Sequence, residues 1–294
     1  MPSYKTHSIH SELIYDEIDQ RIKIDKDDLK TFAMGPDTLI ATNSKAFKIN
    51  HRYAVRDYFE LLLKLIKCEN LIEDSETMAF LYGQLDHFVL DAITHPLIYY
   101  MTEGEPAKHS TKPHGLCEIW TDDYMMQKYD RKDIFYYKKF GINNKKLKAL
   151  IDEVYSRVYG FDNVGNAYDK GIKFLDGYDT LVRRNLILIT PIATKLANVG
   201  DMTYNKDTSR VLKYLNQDGT PWYNPETLEL HTESFEELFD KAKDVALETI
   251  KDVNRYLYDG KPLDNSLILN NTSYNTGINC DLGQHFRRVR KCEY

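Results

Sequence analysis

The chain has 294 residues and a formal net charge of −6, with 42% hydrophobic and 29% charged residues. These proportions are typical of a globular protein that is large enough to bury a substantial core. The negative charge argues against broad electrostatic capture of nucleic acid, which needs a positive surface. No apolar run approaches the ~20 residues of a membrane span, and the N-terminus is too polar for a secretory signal, so we expect a cytoplasmic protein.

The domain organisation is predicted to be simple, because the sequence contains no internal repeat and no low-complexity linker. Residues 1–294 are therefore predicted to form one domain, with a loop-rich tail over 259–294. The tail is rich in Asn, Gly and Ser, so we expect it to pack on the surface. The four cysteines are scattered without a C-x-x-C pair, which gives no indication of a thiolate zinc finger or a disulfide framework.

Helical spacing of apolar residues dominates the chain and strand-like alternation is rare, which predicts an all-α globule. The third helix should end near His95, because Pro96 disfavours helical geometry at the residue before it. Pro113 suits the first turn of the next helix, and Ser234 with Glu237 forms a capping-box pattern. In chain order, helices are predicted over 9–18, 52–67, 77–94, from 113 onward, and over 145–159, 167–187 and 234–258.

Three side chains that can bind metal are spaced four residues apart: His87, Asp91 and His95. A helix turns by about 100° per residue, so the three align along one face. With a rise of ~1.5 Å per residue, the two histidines lie about 12 Å apart along the axis and cannot share one ion. If both are ligands, at least two metals are implied, and the Asp91 carboxylate between them can bridge neighbouring ions.

Further candidates surround this stripe. His114 and Glu118 repeat the four-residue spacing, which lets adjacent helical turns bind one ion. Asp37 follows Gly35 and Pro36, where a turn can present its carboxylate from a rigid loop.

The other candidate residues are mostly histidines. His51 is predicted at the start of the 52–67 helix. His7 and His10 lie one turn apart, so we expect one to face the metal and the other to be exposed. An isolated histidine is more often a hydrogen-bonded core residue than a ligand, but seven of the nine histidines precede residue 115, and this clustering favours a metal site. Four acidic candidates lie in or beside the same stretch: Asp37, Asp91, Glu118 and Asp122.

In their order along the chain, these residues resemble the ligand string of the zinc-dependent phospholipase C family: Asp37, His51, His87-x3-Asp91-x3-His95 and His114-x3-Glu118. The resemblance extends to the N-terminal segment 1–7, to Leu81-Tyr82-Gly83 and to the segment 221–225, and so covers nearly the whole chain. It implies an all-α fold, shared with the fungal zinc nucleases, that holds a metal cluster in a cleft.

The resemblance also implies a set of zinc ligands. One ion would take Asp37, His51, His87 and Asp91, and a second would take His95, His114 and Glu118. Asp91 would also bridge to a third ion held by His7. Secreted members complete the third site with an N-terminal Trp and have a longer interval between the Asp and the next His. The chain lacks both features, so the resemblance implies two or three zinc ions.

The function implied is phosphodiester hydrolysis, in which a metal-bound hydroxide attacks phosphorus and Asp37 or Glu118 orients or deprotonates the water. The family name implies a phospholipid substrate. A single-strand nuclease and a small-molecule phosphodiesterase are alternatives, and the net charge disfavours nucleic acid. A non-catalytic metal-binding helical domain is a further alternative, although structural zinc sites usually favour Cys ligands. A His-Asp phosphohydrolase is disfavoured because the chain reads Asp86-His87.

Overall fold

The computed structural model describes residues 4–102, 112–131, 141–183, 212 and 214–282. Within these residues the fold is all-α, as predicted, apart from a two-stranded antiparallel hairpin, β1 (Trp222–Tyr223) and β2 (Leu230–His231). Short 3-10 helices cover Gly35–Leu39, Leu71–Glu73 and Cys280–Leu282. The α-helices are α1 (Tyr4–Ile14), α2 (Lys26–Phe32), α3 (Ser44–Asn50), α4 (Val55–Cys68), α5 (Ser75–Thr102), α6 (Lys112–Lys128), α7 (Lys145–Tyr159), α8 (Val164–Arg183), α9 (Phe235–Tyr258) and α10 (Ser266–Leu269).

Helix α5 is the central element of the fold. Every residue from Thr77 to Ala92 is buried, as expected for a helix that is apolar on all sides. Helices α1, α2, α6 and α9 all pack against it. Polar side chains on α5 therefore lie inside the protein, where they need partners from the surrounding helices.

The prediction that this helix ends at His95 is wrong, because α5 continues through Pro96 to Thr102. Proline has no backbone N–H, so the carbonyl of Ala92 loses its usual donor in the helix. A loop around Gly277 covers that carbonyl, and a Cβ on Gly277, whose φ is +69°, would lie only 2.5 Å from the oxygen. Because the packed loop supports the helix here, His95 keeps helical register with Asp91.

The prediction that His51 begins a helix is also wrong. His51 is the C-terminal cap of α3, a helix that was not predicted, and α4 begins only at Val55. Helix α3 has seven residues, too few to show a clear apolar period, and its start is marked by the Asn43 side chain, which accepts a hydrogen bond from the Ala46 N–H. Ala54 separates the two helices with a left-handed φ of 52°.

Residues 271–276 in the predicted tail do not pack on the surface. Ser273, Tyr274 and Asn275 are all fully buried. The polar groups of Ser273 find partners within the protein: its N–H donates to the carbonyl of Ile278, and its hydroxyl donates to the carbonyl of His51. Composition alone favoured the surface, but satisfied hydrogen bonds allow a polar loop to be buried.

The helix predicted over 9–18 is shifted, because α1 covers Tyr4–Ile14 and Ile18 lies beyond its end. The other remaining predicted helices agree well with the structure. Helix α7 covers the predicted 145–159, and α9 begins with the predicted capping box between Ser234 and Glu237. Residues 184–187 of the predicted 167–187 helix lie outside the described residues. Among the described helices, none has the length and hydropathy required to cross a bilayer. The organisation of residues 1–294 as one domain stays a prediction.

Candidate metal centre

The candidate metal centre is arranged around the buried carboxylate of Asp91 on α5. Its Oδ1 atom lies 3.2 Å from Nε2 of His7, which comes from α1. Its Oδ2 atom lies 3.2 Å from Nε2 of His87, one turn earlier on α5, and 3.7 Å from Nε2 of His51. Two ligands of one tetrahedral zinc ion, each bound at ~2.0–2.1 Å, lie about 3.3 Å apart. The spacing therefore suits groups that share a metal ion.

All eight predicted ligands fall into groups whose ligand atoms lie within 4.8 Å of one another: His7 with His87 and Asp91; Asp37 with His51 and His87; and His95 with His114 and Glu118. In the second group, Oδ1 of Asp37 lies 3.2 Å from Nε2 of His51. In the third, Nε2 of His114 lies 2.9 Å from Oε1 of Glu118. The structure thus brings together residues from α1, the 35–39 helix, the end of α3, α5 and α6.

Hydrogen bonds fix the orientation of three of these imidazoles. In each, Nδ1 is positioned to donate to a backbone carbonyl: His51 to Phe47 at 2.8 Å, His87 to Ala33 at 3.0 Å, and His95 to Tyr274 at 2.6 Å. A proton on Nδ1 leaves the lone pair on Nε2, the nitrogen that faces the centre. A hydrogen bond from the outer ring nitrogen to a carbonyl is common for histidines that bind metals.

Several buried polar atoms in the centre have no hydrogen-bond partner among the described residues: Nε2 of His7, His51, His87 and His95, Oδ1 of Asp37, and both carboxylate oxygens of Asp91. Each such atom costs roughly 1–3 kcal/mol if it stays unsatisfied. Their concentration in one region calls for additional groups, and a small cluster of cations would satisfy them. Imidazole nitrogens and carboxylate oxygens are ligands that suit zinc, so the residues fit the metal.

Burial keeps several of these imidazoles in the neutral form that binds metal. It lowers the pKa of His7 to about 3 and also lowers the pKa of His95 and His114. Burial alone would raise the pKa of Asp91, but the neighbouring His87 and His95 hold it well below its usual range. Burial alone would lower the pKa of His87, but the Asp91 carboxylate raises it above its usual value. Without any metal, the fold thus favours neutral His7, His95 and His114 beside an ionised Asp91 that is paired with His87.

Solvent reaches the centre at two carboxylates. The side chains of Asp37 and Glu118 are 12% and 18% exposed, whereas those of His7, His87 and Asp91 are fully buried. A substrate can therefore approach the centre beside Asp37 or Glu118, while Asp91 lies behind them.

Comparison with models of known protein families identifies a match. The family model described as zinc dependent phospholipase C matches residues 6–160, which is more than half of the chain. The chain belongs to the zinc-dependent phospholipase C family. Searches of curated proteins and of solved structures gave no significant match. The match covers every candidate ligand from His7 to Glu118, and membership confirms the resemblance and the all-α fold.

As a member of this family, the chain is a zinc-dependent hydrolase of the phospholipase C type in general terms. Several groups of its histidines and carboxylates could hold the metal.

Two candidates from the sequence have other roles in this phospholipase C-family chain. His10 is not exposed, as had been expected for one member of the His7 and His10 pair; it is fully buried, and its Nδ1 lies 2.6 Å from Oδ1 of Asp86. Asp122 belongs to none of the three groups. It accepts hydrogen bonds from the backbone N–H groups of Lys5 and Thr6, which fixes the first turn of α1.

Sequence reasoning missed the residues that support the ligands. The hydrogen bonds of the imidazoles go to backbone carbonyl groups. Every residue has such a group, so the pattern of side chains could not predict which ones accept these bonds. Tyr99, whose ring stacks on His114 at 4.7 Å between centroids, was also missed. Gly35 did carry a signal, since it precedes Pro36 in a predicted turn: its φ is +55°, and a Cβ there would come within 2.4 Å of the His87 ring.

Proposed function

We propose that this chain is a zinc-dependent phosphodiesterase that hydrolyses phospholipids, as the family membership suggests. The observation that carries the proposal is the set of buried, unpaired imidazole nitrogens and carboxylate oxygens that converge on one place, with two partly exposed carboxylates at its edge. A purely structural zinc site usually fills all four positions with protein ligands and favours Cys, whereas none of the three groups contains a thiol.

In this proposal the ligands are the eight predicted residues. One cluster would comprise His7, Asp37, His51, His87 and Asp91, and the other His95, His114 and Glu118. Zinc bound by such sets lowers the pKa of water and neutralises the negative charge that develops on phosphoryl oxygens.

We assign proton transfer to the two partly exposed carboxylates, those of Asp37 and Glu118. Water attacks phosphorus, a new P–O bond forms, and the proton of the water passes to Asp37 or Glu118. The bond to the leaving oxygen breaks, and that carboxyl group then gives the proton to the leaving oxygen, so the products are an alcohol and a phosphomonoester. These two side chains are the accessible carboxylates of the eight residues, since Asp91 is fully buried. Asp91 is therefore assigned to holding metal and not to contact with substrate.

The test combines metal analysis with activity. Zinc content is measured by mass spectrometry, and hydrolysis of phosphatidylcholine is followed before chelation, after chelation and after zinc is returned. Asp37→Asn and Glu118→Gln are compared with Asp240→Asn, a matched change at an exposed position on α9. We expect chelation to abolish turnover and at least one of the two site variants to lose about 100-fold or more, a typical general-base contribution.

The alternatives give different results in the same assay. A zinc-loaded protein that is inert towards phosphatidylcholine but cleaves single-stranded DNA would be a nuclease instead of a phospholipase. One that cleaves only a nucleotide diester would be a small-molecule phosphodiesterase. A zinc-loaded protein that is inert towards every diester would favour a metal-binding domain without catalysis.

A further inference from the structure

The outer face of α3 is basic. Lys45 and Lys48 lie one turn apart on this helix and are exposed, and Arg52 follows one further turn along in the continuing backbone turn. The opposite face is buried and packs into the core through Ala46 and Phe47. Helix α3 is thus amphipathic, and its polar face carries only positive charge among its ionisable groups.

The charge of this region departs from that of the whole chain. Residues 38–56 contain four basic residues and no acidic residue, whereas the chain has a formal net charge of −6. Arg56 lies 3.7 Å from the carboxylate of Asp57, so that pair is balanced locally. Lys45 and Lys48 are exposed and give the outer face of α3 a positive charge within a protein whose formal net charge is negative.

Exposed apolar side chains flank this basic face. Ile40 precedes α3 and is 51% exposed, and Tyr53 follows α3 and is 54% exposed. Scattered apolar side chains on a surface are ordinary, but here Ile40 and Tyr53 lie at either end of one short basic helix.

The same segment carries two candidate ligands of the metal centre. Asp37 lies just before it, and His51 caps the end of α3. Asp37 is also one of the two carboxylates through which the centre meets solvent. Helix α3 is therefore connected at both ends to candidate ligands of the metal centre.

We propose that Ile40, Lys45, Lys48, Arg52 and Tyr53 form a docking face that binds an anionic phospholipid bilayer and holds the metal centre against the lipid surface. Lysines and arginines near such a bilayer are attracted by its negative surface potential, and apolar side chains between them insert at the head-group boundary. A single-stranded nucleic acid would need a groove with several stacking aromatic rings, whereas this face exposes one ring. The inference rests on the proposed function, since it assigns the surface from which the substrate is taken.

Co-sedimentation of the zinc-loaded full chain with vesicles tests the docking face. The vesicles contain phosphatidylcholine alone or an equal mixture of phosphatidylcholine and phosphatidylglycerol. The variant is Lys45→Glu/Lys48→Glu, and the matched control is Lys64→Glu/Lys241→Glu, which changes the net charge equally at exposed positions of α4 and α9. Lys45→Gln/Lys48→Gln gives a milder second variant, and thermal unfolding checks that all variants are folded.

We expect the wild type and the matched control to bind the mixed vesicles, and the Lys45→Glu/Lys48→Glu variant to bind them at least about tenfold more weakly. Turnover of a short-chain phosphatidylcholine kept below its micelle concentration should fall far less than vesicle binding. Equal binding of the mixed vesicles by the Lys45→Glu/Lys48→Glu variant and the matched control would contradict the docking face. So would a variant that binds vesicles as the wild type does but binds single-stranded DNA more weakly. Failure of the proposed function is distinguishable, since the wild type would then bind vesicles but leave the short-chain substrate intact.

Discussion

The Nδ1 atom of His87 lies 3.0 Å from the carbonyl oxygen of Ala33, the residue that ends α2. This contact depends on how closely α2 approaches α5. A Cβ on Gly83, one turn before His87, would lie 2.5 Å from the carbonyl carbon of Phe32. Glycine at this position therefore allows the end of α2 to reach the imidazole, and the carbonyl then directs Nε2 towards Asp91.

From this relationship we expect Gly83→Ala to weaken zinc binding. The added methyl group must push the end of α2 away from α5, which lengthens the hydrogen bond from His87 to Ala33. Loss of a supporting hydrogen bond of this kind typically costs about 10–100-fold in metal affinity. Competition with a chromogenic chelator measures the change. Gly115→Ala on α6, where a Cβ would meet nothing within 4 Å, is the matched control and should keep the wild-type affinity.

We expect Asp91→Asn to remove more metal than any other single amide substitution in the centre. Asp91 lies 3.2 Å from the Nε2 atoms of both His7 and His87, and the substitution removes the negative charge they share. The variant should lose at least one equivalent of zinc and essentially all activity. Glu118→Gln affects a separate group and should retain the metal near Asp91. Full zinc content in Asp91→Asn would show that its carboxylate is not a ligand.

His10→Ala should destabilise the protein without removing a ligand. His10 and Asp86 are both fully buried and lie 2.6 Å apart, so the substitution leaves Asp86 without its imidazole partner. Breaking a buried pair of this kind costs about 3 kcal/mol or more. Urea unfolding of the single variants and of His10→Ala/Asp86→Ala measures the coupling between the two. Additive losses would mean that the pair makes no net interaction.

The sequence predicted the candidate ligands better than the contacts that hold them in place, because only the ligands follow a local pattern along the chain. His87 and Asp91 follow from helical periodicity, and the capping box at Ser234 follows from side-chain chemistry, so both are local signals. Continuation of α5 beyond Pro96 depends instead on a distant loop that covers a carbonyl near Gly277. Packing between segments far apart in the chain leaves no local periodicity, which is why burial of the loop around Tyr274 was not predicted.

The stability of the metal-free protein should depend on pH through Asp122. Burial raises the pKa of this carboxyl to about 6, from 3.8 in the unfolded chain. Between about pH 4 and pH 6 the folded state holds a proton that the unfolded state has released, so this group makes the protein less stable as the pH rises. Asp122→Asn removes the effect. The difference in unfolding free energy between wild type and variant should change by about 3 kcal/mol across that range.

Urea titrations in chelator at a series of pH values measure this difference, because the contributions of the ligand histidines are common to both proteins and cancel. A difference that does not change with pH would place the pKa of Asp122 near its ordinary value. The variant should be compared only in the metal-free form, since zinc release at low pH would add its own dependence.

Two substitutions of Tyr274, to Phe and to Ala, should have different effects on the stability of the protein. Its ring packs 4.8 Å from the ring of Phe88 and 5.2 Å from that of His51, measured between centroids, while its buried hydroxyl has no hydrogen-bond partner among the described residues. Tyr274→Phe removes an unsatisfied hydroxyl and keeps the ring, so stability should stay equal or rise by up to about 1 kcal/mol. Tyr274→Ala opens a cavity beside the centre and should cost about 3–5 kcal/mol.

The zinc affinity of the same two variants distinguishes the role of the Tyr274 ring, which packs beside the centre, from that of its hydroxyl. The carbonyl of Tyr274, which receives the hydrogen bond from His95, is present in both variants, but only the phenylalanine ring keeps the loop in place. Tyr274→Phe should therefore bind zinc as the wild type does, and Tyr274→Ala more weakly. Weaker binding by Tyr274→Phe would mean that the hydroxyl itself takes part in the centre, for example through a water molecule that links it to the ligands.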